Sequence, residues 1–174
     1  MADTPFSDSY IETDTILEAL IGADPRAAAV ALKALAAASQ EWYCQEATRH
    51  IDQLPLRGTK YDIDVVAGVP DQPRAFPRII DGVTCDWNSS TSLAIVPSDV
   101  KRACVEEAIA LYAHLTSGAA TKRQELQAQG VKSYSIGKLS ETFGGTSADR
   151  SYGILSQEAY SYLSKYVARS VPIR

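Results

Sequence analysis

Histidine, methionine and cysteine are scarce in this 174-residue chain, which has two, one and three of them. The three cysteines are Cys44, Cys85 and Cys104. Their number is odd and none forms a C-x-x-C pair, so neither a disulfide framework nor a zinc knuckle is expected. A reducing compartment fits best. His50 and His114 lack the second His at i+4 and the Glu that make a helical zinc site. No G-x-S-x-G elbow and no G-x-x-x-x-G-K-[ST] phosphate loop occurs. No apolar run approaches the ~20 residues that span a bilayer. The opening Met1-Ala2-Asp3-Thr4-Pro5 lacks the basic and apolar regions of a secretory signal, so none is expected. Glu106 and Glu107 diverge by about 100° on a helix and make a poor acid–base pair. Asp62 and Asp64 share a face if their segment is a strand and could then hold a cation, but a solvated loop is the plainer reading. His50 or His114 could serve as a base only with partners that the sequence does not supply. The expectation is a protein that is not an enzyme, with no cofactor and no metal.

What is present is ordinary globular composition, 45% hydrophobic and 22% charged. Disorder and fibrous repeats are excluded. One domain of this length buries roughly 70% of its unfolded surface without a staple. Formal net charge is −4, which argues against broad binding to nucleic-acid backbone. Residues 1–56 carry three basic and nine acidic side chains, whereas residues 150–174 carry four basic and one acidic. This asymmetry reads either as solvated faces or as head-to-tail contact between copies.

The periodicity predicts a mainly α protein: a small helical bundle with a long inserted loop at 56–97. Thr13 or Asp14 caps a first helix whose stripe is Ile16, Leu17, Leu20 and Ile21, with Gly22 ending it. Asp24-Pro25 opens an Ala-rich helix over 27–38. Ser39 caps or kinks the next, which runs to Leu54 with Tyr43, Ala47, His50 and Ile51 on one face. Within 56–97, Asp62–Val65 and Ser92–Val96 alternate briefly and suggest short strands. Ser98 caps a helix reaching Ser117, with Val100, Ala103, Cys104, Ala108, Leu111 and Leu115 on one face. A polar helix is expected at Thr121–Gln129 and an extended, strand-like segment near 131–143. Gly144-Gly145 reads as a joint before a last helix near 156–168. The expected division is a bundle over 1–149 and a C-terminal docking helix or arm over 150–174.

That arm concentrates Tyr152, Tyr160, Tyr162 and Tyr166 with Arg150, Lys165, Arg169 and Arg174. Tyr and Arg dominate interface anchors. They also stack on single-stranded bases. A short helix behind a glycine joint has little of its own to pack against, which favours docking on a partner.

Five segments carry a resemblance. Gln45–Asp52 resembles an "A-T-x-x-[IL]-D" helix, and Gly58-Thr59-Lys60 follows at the usual distance. Gln72–Arg78 is similar to "Q-x-L-x-[FW]-P-R", with Arg74 at a usually apolar place. Val96–Lys101 with Ala103 and Glu107-Ala108 resembles "[IV]-P-x-x-V-K-x-A-x-x-E-A". Gln129–Ser133 with Ile136-Gly137 resembles "x-G-V-x-S-x-x-[IV]-G". Across residues 40–174 their order resembles the phage head–tail connector (adaptor, or neck) family, some of whose members are described as DnaT-like single-stranded DNA-binding proteins. Asp86–Leu93 looks like an insertion, and residues 1–39 fit less well.

The resemblance implies a structural virion protein of the neck, made in the host cytoplasm. It would form a homo-oligomeric ring of twelve copies that docks on the portal protein and extends the DNA channel toward a tail-side protein. DNA would pass without specific binding, and no membrane is involved. Tyr160, Tyr162, Leu163, Tyr166, Val167, Arg169 and Arg174 would make the portal contact. Arg74, Phe76 and Arg78 would fix the loop or meet a neighbouring subunit. The alternative is a single-stranded DNA-binding module using the tail aromatics with Lys122, Arg123, Lys132 and Lys138.

Overall fold

A computed structural model describes residues 5–61, 74–88, 93–116, 133–136, 139–142 and 154–168. Among them the chain is mainly helical, with five helices and a small three-stranded antiparallel sheet. The first helix, α1 (Asp14–Ile21), is capped as its sequence predicts: the Thr13 hydroxyl accepts from the Ile16 N–H. It ends at Gly22, whose φ of +58° suits a residue without Cβ. Its buried stripe is Leu17 and Ile21, spaced four apart, while Leu20 lies on the solvent side.

The Ala-rich stretch departs from expectation. It is not one helix over 27–38 but α2 (Ala27–Lys33) and the start of α3 (Ala37–Asp52). Asp24-Pro25 does not begin α2. The Asp24 carboxylate turns back onto the Arg26 N–H (2.9 Å) and guanidinium, and Arg26 is the extended cap residue. Ser39 is not a cap either, because α3 begins two residues earlier behind the extended Ala36. Alanine propensity would carry a single helix across the break. Tertiary packing overrides it: buried Gln40 donates to the Lys33 carbonyl (3.0 Å), so α3 itself satisfies the end of α2.

Residues 56–97 hold short strands, as expected of a loop with β pieces. β1 (Thr59–Lys60), β2 (Arg78–Ile80) and β3 (Val83–Thr84) make one antiparallel sheet, with Thr59 opposite Ile79 and Ile80 opposite Val83. β4 (Trp87–Asn88) and β5 (Leu93–Ala94) pair as a ribbon. Asp62–Val65 lies outside the described residues.

The central element is α4 (Ser98–Thr116). Ser98 is already helical rather than its cap, and the Pro97 carbonyl accepts from the Lys101 N–H. Val100, Ala103, Cys104, Val105, Glu107, Ala108, Ile109 and Leu111 are all buried, because helices lie around much of its circumference. Leu115, expected on that face, is half exposed at the end of the helix. The extended segment near 131–143 is a hairpin, β6 (Ser133–Ile136) against β7 (Leu139–Thr142), with Ile136 opposite Leu139. The alternation that breaks at Leu139 marks this reversal. Thr121–Gln129 lies outside the described residues.

The last helix, α5 (Gln157–Leu163), is shorter than expected at its C-terminal end. It is not a helix without a seat. Ala159, Leu163, Tyr166 and Val167 belong to the same buried cluster as Leu17, Leu32, Ile51 and Val100. The Gly144-Gly145 joint lies outside the described residues, and the sequence does not show the face of α4 that receives α5.

Candidate functional site

Two regions singled out from the sequence, the loop around Arg74–Arg78 and the C-terminal segment, meet in the structure. The meeting point begins with Gly58, whose φ is +72°. A Cβ there would stand 2.0 Å from the Ile79 carbonyl oxygen, so β2 approaches the backbone as only glycine permits. Beside it, Arg78 is buried. Its guanidinium donates to the carbonyls of Arg57 (2.7 Å), Gly58 (2.6 Å) and Ala75 (3.2 Å). With the Leu56 carbonyl (3.4 Å) as a fourth acceptor, those bonds tie residues 56–58 and Ala75 around one cation.

Phe76 follows a similar logic. Fully buried, it sits edge-on between Tyr10 (6.0 Å) and Tyr166 (5.1 Å). The Phe76 N–H donates to the Tyr10 hydroxyl (3.2 Å), which in turn donates to Asp52. Asp52 also accepts from the Ala75 N–H (3.2 Å). Burial raises the Asp52 pKa above the ordinary carboxylate value, opposed by the Tyr10 and Ala75 hydrogen bonds. The Tyr10 phenol is pushed far up by the same burial and by the neighbouring Asp52 charge. Arg74 donates to the Ser9 carbonyl. Thus Arg74, Phe76 and Arg78 all fix the loop within this chain.

The C-terminal segment closes the junction. The Arg57 N–H donates to the Tyr166 carbonyl and the Ala168 N–H to the Pro55 carbonyl, each at 2.7 Å. Leu56 and Val167 form an antiparallel bridge. Leu163, Tyr166 and Val167 are therefore core side chains, whereas Tyr160 and Tyr162 are half-buried on α5. An open groove of about 630 Å³ runs beside them, lined by Arg57, Ser164, Lys165, Val167 and Ala168. Lys165 pairs with Asp99, and Arg57 with Asp81 at 3.0 Å. Arg169 and Arg174, like Lys122, Arg123, Lys132 and Lys138, lie outside the described residues.

At the other end of α5 stands Glu107, which the sequence marks only as a poor acid–base partner of Glu106 and as part of a family-like segment. Glu107 is 0% exposed. Its carboxylate accepts from the Leu155 N–H (3.0 Å) and the Ser156 N–H (2.9 Å), and bonds His50 Nδ1 at 2.7 Å. That bond raises the His50 pKa above the ordinary imidazole value, against the opposing effect of burial. The signal was present in the pattern: Glu107 falls at core register between Cys104 and Leu111, where a charge demands partners.

A separate aromatic row lies across the start of α3 and the end of α4. Trp42, 46% exposed, meets Tyr43 at 4.9 Å, and Tyr43 meets Tyr112 at 5.5 Å. Among the described residues no group of three or more His, Cys, Asp or Glu side chains could hold a metal ion, and no helix is long and apolar enough to cross a membrane. In comparisons with protein-family models, curated proteins and solved structures, nothing matches this chain.

Proposed function

We propose that the chain is a structural subunit of a phage neck, a connector that assembles into a ring, docks on the portal and extends the DNA channel toward the tail. The observation that carries this reading is the order and spacing of the five family-like segments along residues 40–174. Their use in the fold is consistent with it. Ala47 and Ile51, Gly58, Phe76 and Arg78, and Val100, Ala103 and Glu107 each hold a core position, a close approach or a buried bond. Such residues specify a shape rather than a reaction. The polar groups at the junction are directed at backbone carbonyls and amides, which suits a part whose job is geometric.

On this reading the portal contact falls first on Tyr160, Tyr162, Arg169 and Arg174. Leu163, Tyr166 and Val167 support them from the core, or join the contact when α5 leaves its seat. The twelve-copy ring, the tail-side partner and the virion location belong to the same proposal.

Mass in solution tests it, measured alone and with the portal protein of the same virus at two salt concentrations. The expected result is a species that joins the portal in several copies. No association with portal, together with salt-sensitive retention on single-stranded DNA, would replace the reading with the binding-module alternative.

A further inference from the structure

We propose that Glu107 is a latch: its buried carboxylate, held from behind by His50, keeps residues 154–168 seated on the helical body, and the segment opens as one unit when that hold is weakened. The inference is independent of the connector reading.

The argument starts from the cost of burying a charge. A carboxylate without water is tolerable only while donors surround it. Glu107 has three: the Leu155 and Ser156 N–H groups from the segment, and His50 from α3. Two of the three leave if the segment leaves, and water takes their place. The carboxylate thus has two satisfied arrangements, seated and open.

The segment itself is built to move as a unit. A seven-residue helix does not persist alone in water, so its order depends on the seat. It is fixed at its two ends, by Glu107 near Leu155 and by the Arg57–Tyr166 and Ala168–Pro55 backbone bonds. Between them only Ala159 and Leu163 are fully buried. Leu155, next to the latch, leaves its side chain 47% exposed.

His50 makes the hold respond to pH. It faces Glu107 from α4 and Glu46 from its own helix α3. Cys104, one turn earlier on α4, also feels the Glu107 charge. From the segment, Glu158 bonds the Ser156 hydroxyl, and at the far end Lys165 pairs with Asp99. On the outer side of α4, Glu106 pairs with Arg26. Protonated His50 gives the buried carboxylate a cation; neutral His50 gives it only a hydrogen bond. The coupling is stronger in the dry, seated state, so opening increases as pH rises through the His50 titration.

Amide exchange of the full chain, read by mass spectrometry from about pH 5.5 to 8.5 and corrected for intrinsic rates, tests the latch. The informative reporters are the Tyr166 and Ala168 amides, remote from Glu107. Glu107→Gln should speed their exchange at least about tenfold, with the middle of α3 and α4 unchanged. His50→Gln keeps a donor but cannot titrate, and should flatten the pH dependence of the same amides. Equal acceleration of α3, α4 and the segment in Glu107→Gln would overturn the proposal, as would no acceleration. If Glu107→Gln does not fold, His50→Gln decides alone: an unaltered pH profile at Tyr166 and Ala168 overturns it.

Discussion

Gly58 shows how much of this fold hangs on single positions. Its φ is +72°, and the missing side chain lets the Ile79 carbonyl sit where a Cβ would be. Gly58→Ala therefore combines left-handed backbone strain with a clash against main chain, which cannot swing aside. Each cost is of order 1–3 kcal/mol, so the variant should lose about 3 kcal/mol or more in denaturant unfolding. A loss below about 0.5 kcal/mol would mean that β1 and β2 do not meet as described. The sequence shows Gly58 as one glycine among several loop breakers. It does not show that this one is a point of contact, because the partner is a carbonyl twenty-one residues away. The same holds for Arg78, expected to fix the loop or to meet a neighbouring subunit, whose four carbonyl acceptors are not visible in the sequence. A buried arginine that bonds backbone carries no local signature.

Helix α5 is where expectation and structure differ most, and the difference is measurable. An arm awaiting a partner would tolerate Leu163→Ala within about 0.5 kcal/mol. A core residue with no exposure would not: truncation should cost about 2–5 kcal/mol of unfolding free energy. The larger loss, in the isolated chain, is the expected outcome. Behind the same helix, the His50 pKa is raised by its bond to Glu107. A raised histidine stabilises the folded state fully below its unfolded value of about 6.5, and that contribution is lost as pH rises through the folded value. Unfolding free energy should thus fall over that interval in the native chain and stay flatter in His50→Gln. If the two chains give parallel profiles, the His50–Glu107 pair does not contribute. What the pattern makes legible is helix existence: the cap at Thr13, a last helix beginning near 156 and the apolar face of α4 follow from local chemistry. What it hides is helix breaks. The gap between α2 and α3 is made by Gln40 reaching back to the Lys33 carbonyl, a tertiary event inside an alanine run.

Across the molecule, the charge asymmetry and the aromatic row make opposite demands on any assembly of copies. Residues 1–56 are acidic on balance and residues 150–174 basic. Contact between those ends would be electrostatic, and at the surface it would be screened beyond about 10 Å at 0.1 M salt. Contact through Trp42, Tyr43 and Tyr112 would be apolar and would not weaken with salt. The described groove favours the first, because Arg57 and Lys165 lie together at its edge with 45% and 59% of their side chains in water. Their partners Asp81 and Asp99 are exchangeable, since exposed ion pairs are worth at most about 1 kcal/mol. Sedimentation of the full chain at about 0.05 M and about 0.5 M salt separates the two modes. The expected outcome is association that falls at high salt and is weakened further by Lys165→Glu. Association that is unchanged or stronger at high salt, and insensitive to Lys165→Glu but lost in Trp42→Ala, would move the contact from the charged ends to the aromatic row.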